Sequence, residues 1–203
     1  EEPPPETVII LTATELENLL PTIQSRAQKI RFQPVQRELI DQYLKSKYEI
    51  SDKTAGYYVR ISEGSPGRAI ELALDEDQMP ARQLSLLMFK ALFQKDNSSA
   101  IAIVNEFINP RDQGEFVKIL SIWQSFLSDL IIIKFGRDKN DLVNSDLSSE
   151  LNKLAENLPA AENLQKMTED IKIVVKSVHR NIHIRPAISS LVLNLRRYIN
   201  QSA

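Results

Sequence analysis

The most informative stretch of this sequence is Glu1-Glu2-Pro3-Pro4-Pro5, then Val8-Ile9-Ile10-Leu11-Thr12-Ala13-Thr14, then Leu19-Leu20-Pro21-Thr22-Ile23-Gln24-Ser25-Arg26. Residues 8–11 are apolar on both faces, which predicts a strand over residues 7–11 of the parallel kind that is covered on two sides. Only the short segment 29–32 could form a second strand. A lone buried strand is incomplete, so we expect it to pair with a portion of the protein before Glu1 rather than with a partner chain.

The remainder of the chain predicts helices. Only five glycines occur in 203 residues, and leucine and isoleucine recur at helical spacing after residue 35. Residues 34–78 predict a small bundle of three helices: one over residues 36–47, one after Ser51 as N-cap, and one after the turn 63–67. The predicted core positions of this bundle are Val35, Leu39, Ile40, Tyr43, Leu44, Ala55, Tyr58, Val59, Ala69, Leu72 and Ala73.

A boundary is predicted where Asp75-Glu76-Asp77 and Pro80 interrupt the pattern. Residues 79–203 then predict about six further helices. One begins at Asn109-Pro110 and runs through Phe135, with Gly136 as its stop, and the last is opened by Pro186. The expected fold class is therefore mainly α: residues 1–33 with one or two strands, a three-helix domain over 34–78 and an all-helical domain over 79–203.

Composition excludes several classes of protein. The chain has no cysteine, so it has no disulfide framework and no thiolate metal site, which fits a reducing compartment. Its apolar runs are interrupted by Asp129 and Lys134 and are too short to span a bilayer, and its start does not resemble a signal peptide. The net charge is −2, which argues against a bulk polyanion binder.

The first 32 residues resemble the end of an ATPase domain in the clamp-loader family of the AAA+ superfamily, and the bundle over 34–76 resembles that family's lid. In this family the Ser-Arg pair, here Ser25-Arg26, presents an arginine finger to the ATP of a neighbouring subunit. Arginine suits this role because its planar, permanently charged fork stabilises a transferring phosphoryl group. The family usually has a cysteine after this pair, and Ala27 stands in its place.

The resemblance implies two further nucleotide-sensing positions. Thr12 and Thr14 compete for the first, at the end of the strand, although we prefer to interpret both as β-branched strand residues without a ligand. The second lies in Glu63-Gly64-Ser65-Pro66-Gly67-Arg68-Ala69. ATP-binding members have an arginine where Gly67 stands, and Arg68 is turned about 100° away on a helix.

The turn with Gly67 is similar to that of the delta prime branch, whose members do not hydrolyse ATP. An active gamma/tau-type ATPase and a helical scaffold without a nucleotide role remain the alternatives. The chain contains no P-loop and no catalytic carboxylate pair or Ser/His/Asp arrangement, so we expect it neither to hold nor to hydrolyse a nucleotide by itself. ATP and Mg²⁺ would lie on neighbouring subunits.

Two further patterns are interpreted conservatively. His179 and His183 are spaced to share a metal, but no third ligand is nearby, so no metal site is predicted. Residues 171–203 carry six basic and no acidic residues. This segment could follow a phosphate backbone, but a solvated face or a contact between subunits is preferred because aromatic residues are not interleaved.

The resemblance also implies partners and a location. The expected partners are gamma/tau and delta subunits, a sliding clamp and, through the complex, primed DNA. No contact with a membrane is expected. The all-helical domain would be the collar that joins the subunits into a ring. The location would be the replisome in the bacterial cytoplasm.

Overall fold

A computed structural model of the chain describes residues 4, 6–13, 16–94, 113–136, 141–158, 160–178 and 184–200. Backbone contacts divide the chain into two units, residues 1–34 and 35–203. Helices dominate the described residues, which confirms the mainly α fold class. The division of the second unit into a lid and a collar stays a prediction.

The first unit is short of regular structure. It contains a 3₁₀ turn, Leu16–Asn18, and one short helix, α1, Pro21–Gln24. The strands predicted over residues 7–11 and 29–32 are not formed, because no described residue belongs to a strand and a strand requires a paired backbone. None of the described side chains in this unit is buried. Large apolar side chains are exposed throughout it: Val8, Ile9, Ile10, Leu11, Leu16, Leu20, Ile30 and Phe32.

The second unit begins with a block of three helices, as predicted. These are α2, Arg37–Tyr48; α3, Asp52–Ile61; and α4, Pro66–Leu74. Serine hydroxyls cap two of them: Ser51 accepts from the Thr54 N–H and Ser65 from the Arg68 N–H, both at 3.3 Å. The buried core of this three-helix block comprises Ile40, Leu44, Tyr57, Tyr58, Val59 and Ala69.

The predicted stripe on α2 is partly wrong. Ile40 and Leu44 are buried, but Val35, Leu39 and Tyr43 are 36, 54 and 41 % exposed. The sequence pattern predicted too wide a buried face for α2, because among the described helices α2 packs mainly against α3 and α4, on one side.

Among the described residues five more helices follow, and we name them the long-helix block because four of them have 14 residues or more. They are α5, Gln78–Ala91; α6, Gln113–Lys134; α7, Ser148–Ala155; α8, Ala161–Val178; and α9, Ile184–Asn200. Helix α6 packs against α5, α7 and α8, and α8 packs against α9. The last helix begins two residues before Pro186, which is tolerated because the first turn of a helix does not need the proline N–H.

Helix α6 is the centre of this block. Phe116, Leu120, Trp123, Leu127 and Leu130 are all buried, as their spacing predicted. Gly136 has φ +65° just beyond the helix end, which confirms it as the stop. By length and composition α6 is the one described helix that could cross a membrane, but half of the relevant window is buried inside the protein. That burial is typical of a core helix.

Candidate functional site

The segment that carries Arg26 is held by local hydrogen bonds. The Gln24 side-chain amide donates to the Leu16 carbonyl at 2.8 Å and to the Leu19 carbonyl at 3.0 Å, which ties the 3₁₀ turn to α1. The Arg26 N–H donates to the Ile23 carbonyl at 3.1 Å. Arg26 therefore follows the short helix α1, and the Gln24 side chain holds that helix to the preceding 3₁₀ turn.

The Arg26 side chain is exposed, and its guanidinium makes no recorded ion pair or hydrogen bond within the described part of the chain. Ser25 beside it donates its hydroxyl to the Thr22 carbonyl at 3.2 Å. The local role of Ser25 is thus to close the helix end. A guanidinium presented in this way can donate a bidentate pair of hydrogen bonds to a phosphate or carboxylate of another molecule.

The two threonine candidates gain no support from the structure. Thr12 is exposed and belongs to neither a helix nor a strand. Thr14 lies outside the described residues. The interpretation of these threonines as residues without a ligand stays a prediction.

The turn before α4 is well defined. Gly64 has φ +81°, and its carbonyl accepts the Val35 N–H at 2.8 Å, so the turn lies beside the start of α2. Arg68 is exposed in the first turn of α4. A Cβ placed on Gly67 would meet no atom within 4 Å, and thus packing does not require a glycine at this position.

The described basic residues of the C-terminal segment are not all exposed. Lys172, Lys176 and Arg197 are exposed. Arg196, in contrast, is 1 % exposed, and its guanidinium donates to the Ala91 and Leu92 carbonyls at 3.0 and 3.3 Å. It caps the end of α5 rather than facing a partner. His179, His183 and Arg180 lie outside the described residues, as does the side chain of Arg185, and no cluster of metal-binding side chains occurs in the part that is described.

A buried polar cluster, not anticipated from the sequence, lies inside the second unit. Its centre is Arg82 on α5, which is 2 % exposed. The Arg82 Nη1 and Nη2 donate to the two carboxylate oxygens of Asp146 at 2.8 and 2.7 Å, and its Nε and Nη2 donate to Asn144 Oδ1 at 3.1 and 2.9 Å. Its guanidinium carbon lies 3.9 Å from the ring centroid of Tyr57 on α3.

Asp129 extends this cluster into the middle of α6. Its carboxylate accepts the Val143 N–H at 2.8 Å, the Asn144 N–H at 2.7 Å and the Asn144 side-chain amide at 2.8 Å. Burial raises the pKa of Asp129, and the hydrogen bonds from Asn144 and Val143 oppose that rise. Burial also raises the pKa of Tyr57, against the lowering effect of the Arg82 charge. The sequence signal that could have revealed this cluster is Asp129 itself, an aspartate inside the apolar run of α6.

Comparison with known proteins gives two family matches and one relative. Residues 1–36 match a family model described as DNA polymerase III, delta subunit, and residues 76–184 match one described as DNA polymerase III, delta subunit, C terminal. The chain is 24 % identical over 202 residues to DNA polymerase III subunit delta' of Bacillus subtilis (strain 168). This alignment covers 97 % of the chain but only 59 % of the length of that relative.

Proposed function

The chain belongs to the family described as DNA polymerase III, delta subunit, C terminal, and we propose that it is the C-terminal portion of a delta prime subunit in a bacterial clamp loader. The observation that carries the proposal is the similarity to a delta' subunit along nearly the whole chain. The match of residues 1–36 to a second delta model supports it, since that segment contains Ser25-Arg26.

In this proposal Arg26 acts in trans on ATP bound to a neighbouring gamma/tau subunit. Its guanidinium would stabilise charge on the γ-phosphoryl group as that group is transferred. Exposure of the side chain and the absence of a recorded partner among the described residues are what this role requires. Gly67 supports a subunit that does not sense its own nucleotide, because space for a longer side chain exists there and none is present.

The complex would contain gamma/tau and delta subunits around this one and would open a sliding clamp and load it onto primed DNA. The long-helix block would supply the collar contacts between subunits. ATP and Mg²⁺ would be held by the neighbours and not by this chain. The assembly would act in the bacterial cytoplasm at the replisome.

The test is to replace Arg26 by alanine in the full-length protein and to reconstitute the loader with its gamma/tau and delta subunits. We expect DNA-stimulated ATP turnover and clamp loading to fall by about tenfold or more, because an arginine finger contributes orders of magnitude to phosphoryl transfer. Arg31→Ala is the matched control, since Arg31 is also exposed in the first unit. Assembly, measured by size-exclusion chromatography, should be unchanged in both variants.

The outcomes separate the alternatives. Unchanged turnover and loading with Arg26→Ala would contradict the trans role and favour a helical scaffold. ATP binding and hydrolysis by the full-length protein alone would identify it instead as an active gamma/tau-type subunit.

A further inference from the structure

The buried polar cluster lies where the three-helix block meets the long-helix block. Tyr57 belongs to the core of the first block. Arg82 and Asp129 belong to helices of the second block. Residues 142–147 join Arg82 and Asp129 to the three-helix block, and we name this segment the strap.

The strap contacts both blocks. Val143 packs against the three-helix core. The 3₁₀ turn Ser145–Leu147 lies against α3 and α7. Two backbone N–H groups of the strap are bound by the Asp129 carboxylate, so the strap cannot move away from α6 without leaving buried donors unpaired.

Arg82 on α5 also binds the strap. Four hydrogen bonds join its guanidinium to Asn144 and Asp146, and its face covers the Tyr57 ring. Asn144 is itself fully buried and donates to Ser125 Oγ at 3.1 Å. The fork of Arg82 is therefore held by a strap amide, a strap carboxylate and an aromatic ring of the other block.

The charges in this cluster leave little freedom. The Arg82 guanidinium and the Asp129 carboxylate are buried, while the Asp146 side chain remains 18 % exposed. Burial of ions is tolerated only when they are paired with good geometry. Sliding one block past the other would break the bidentate pair and leave the buried Arg82 guanidinium without two of its acceptors. The arrangement thus has one satisfied geometry rather than a series of similar ones.

From this geometry we infer that the strap, pinned by Arg82 and Asp129, locks the three-helix block and the long-helix block into one rigid body. A force on either block would then be carried to the other without a hinge at residues 75–77. This inference does not depend on the proposed role in clamp loading.

The experiment measures the distance between the two blocks directly. The chain has no cysteine, so Lys53→Cys on α3 and Lys153→Cys on α7, both at exposed positions, give two unique spin-labelling sites. Pulsed electron resonance on the labelled chain should give a single narrow distance distribution. Arg82→Met should broaden it, because Asp146 and Asn144 lose their shared donor.

Two controls match Arg82→Met. Arg196→Met removes another buried arginine that lies within the long-helix block. Asp75→Asn removes a partly exposed bridge from the end of α4 to Lys118 on α6. Neither should broaden the distribution. Asp146→Asn is the milder variant if Arg82→Met does not fold, because Asn144 Oδ1 and one oxygen at position 146 can still accept from Arg82.

Hydrogen exchange gives a second measurement. Amides of α2–α4 should exchange faster by about tenfold or more in Arg82→Met or Asp146→Asn, while amides of α6 change less. An unchanged distance distribution in both variants, or an equal loss of protection in both blocks, would overturn the inference. The second result would mean that Arg82 stabilises one common core and does not lock two blocks.

Discussion

Individual residues in this chain have roles that their type alone does not reveal. Arg26, Arg82 and Arg196 are chemically identical, yet the first is exposed, the second pairs with Asp146 and stacks on Tyr57, and the third caps a helix end. Of these three, only Arg26 is placed to bind another molecule through a permanently charged fork. The environment of each guanidinium, rather than its place in a motif, decides which function it can have.

Substitution of two single residues, Gly67 and Gly136, gives a testable prediction. We expect Gly67→Ala to stabilise the protein by up to about 1 kcal/mol, because alanine is the better helix former and its Cβ meets no neighbour there. Chemical denaturation followed by Trp123 fluorescence measures the change. Gly136→Ala is the control and should destabilise by about 1–2 kcal/mol, because φ +65° strains any residue with a Cβ. Equal effects of the two substitutions would contradict the role of backbone conformation.

Local sequence signals predicted the helices correctly, whereas the predicted strands are not formed. Serine caps, a proline at the first position and a glycine stop placed α3, α4 and the end of α6 within about two residues of the observed bounds. The segment 7–11 carries a strong strand pattern but forms no strand in the structure. Hydrogen bonds of a helix are made within the element, while those of a strand depend on a second segment.

A bridge between two elements gives a pH prediction. The hydrogen bond from Lys118 to Asp75, at 2.6 Å, holds the pKa of that carboxyl below its ordinary value, and it joins the end of α4 to α6. The ionised pair thus stabilises the folded protein above the unfolded pKa of Asp75. That contribution is lost as pH falls through the lower, folded pKa.

Asp75→Asn should therefore reduce the free energy of unfolding by about 0.2–1 kcal/mol at neutral pH and by nothing at a pH below the folded pKa, since a partly exposed pair screened by solvent contributes little. Asparagine can still accept the Asp77 N–H that Asp75 accepts at 3.0 Å. Denaturation midpoints from pH 7 down to the acid limb measure the difference. Glu76→Gln is the control; a loss that persists unchanged in acid would show that charge is not the cause.

The whole molecule is stabilised mainly by the long-helix block. Phe89, Trp123 and Phe126 form an aromatic cluster between α5 and α6, and all three are fully buried. The ring centroid of Phe89 lies 5.5 Å from that of Phe126 and 5.8 Å from that of Trp123. The three-helix block has a smaller core. Because apolar area removed from water is the main favourable contribution to folding, damage to the aromatic cluster should affect the chain most.

Phe126→Ala tests this at the scale of the molecule. We expect a loss of about 3–5 kcal/mol, because the cavity left by a deleted phenyl ring cannot close fully. Thermal and chemical unfolding measure it. Phe135→Ala is the matched control, since Phe135 is 56 % exposed. A similar loss in both variants would contradict the assignment of Phe126 to the core.

The sequence by itself determined the helical class, several helix bounds, the buried stripe of α6 and the candidate Arg26, because helix periodicity, capping and side-chain charge are local properties. Its resemblance to delta prime subunits agrees with the comparisons. Only the tertiary structure decided that the buried residues Arg82, Asp129 and Asn144 form one cluster with the partly exposed Asp146, and that Leu39 and Tyr43 are exposed. These facts depend on which elements pack together, since Arg82 and Asp146 lie 64 positions apart in the chain, and no local pattern encodes that pairing.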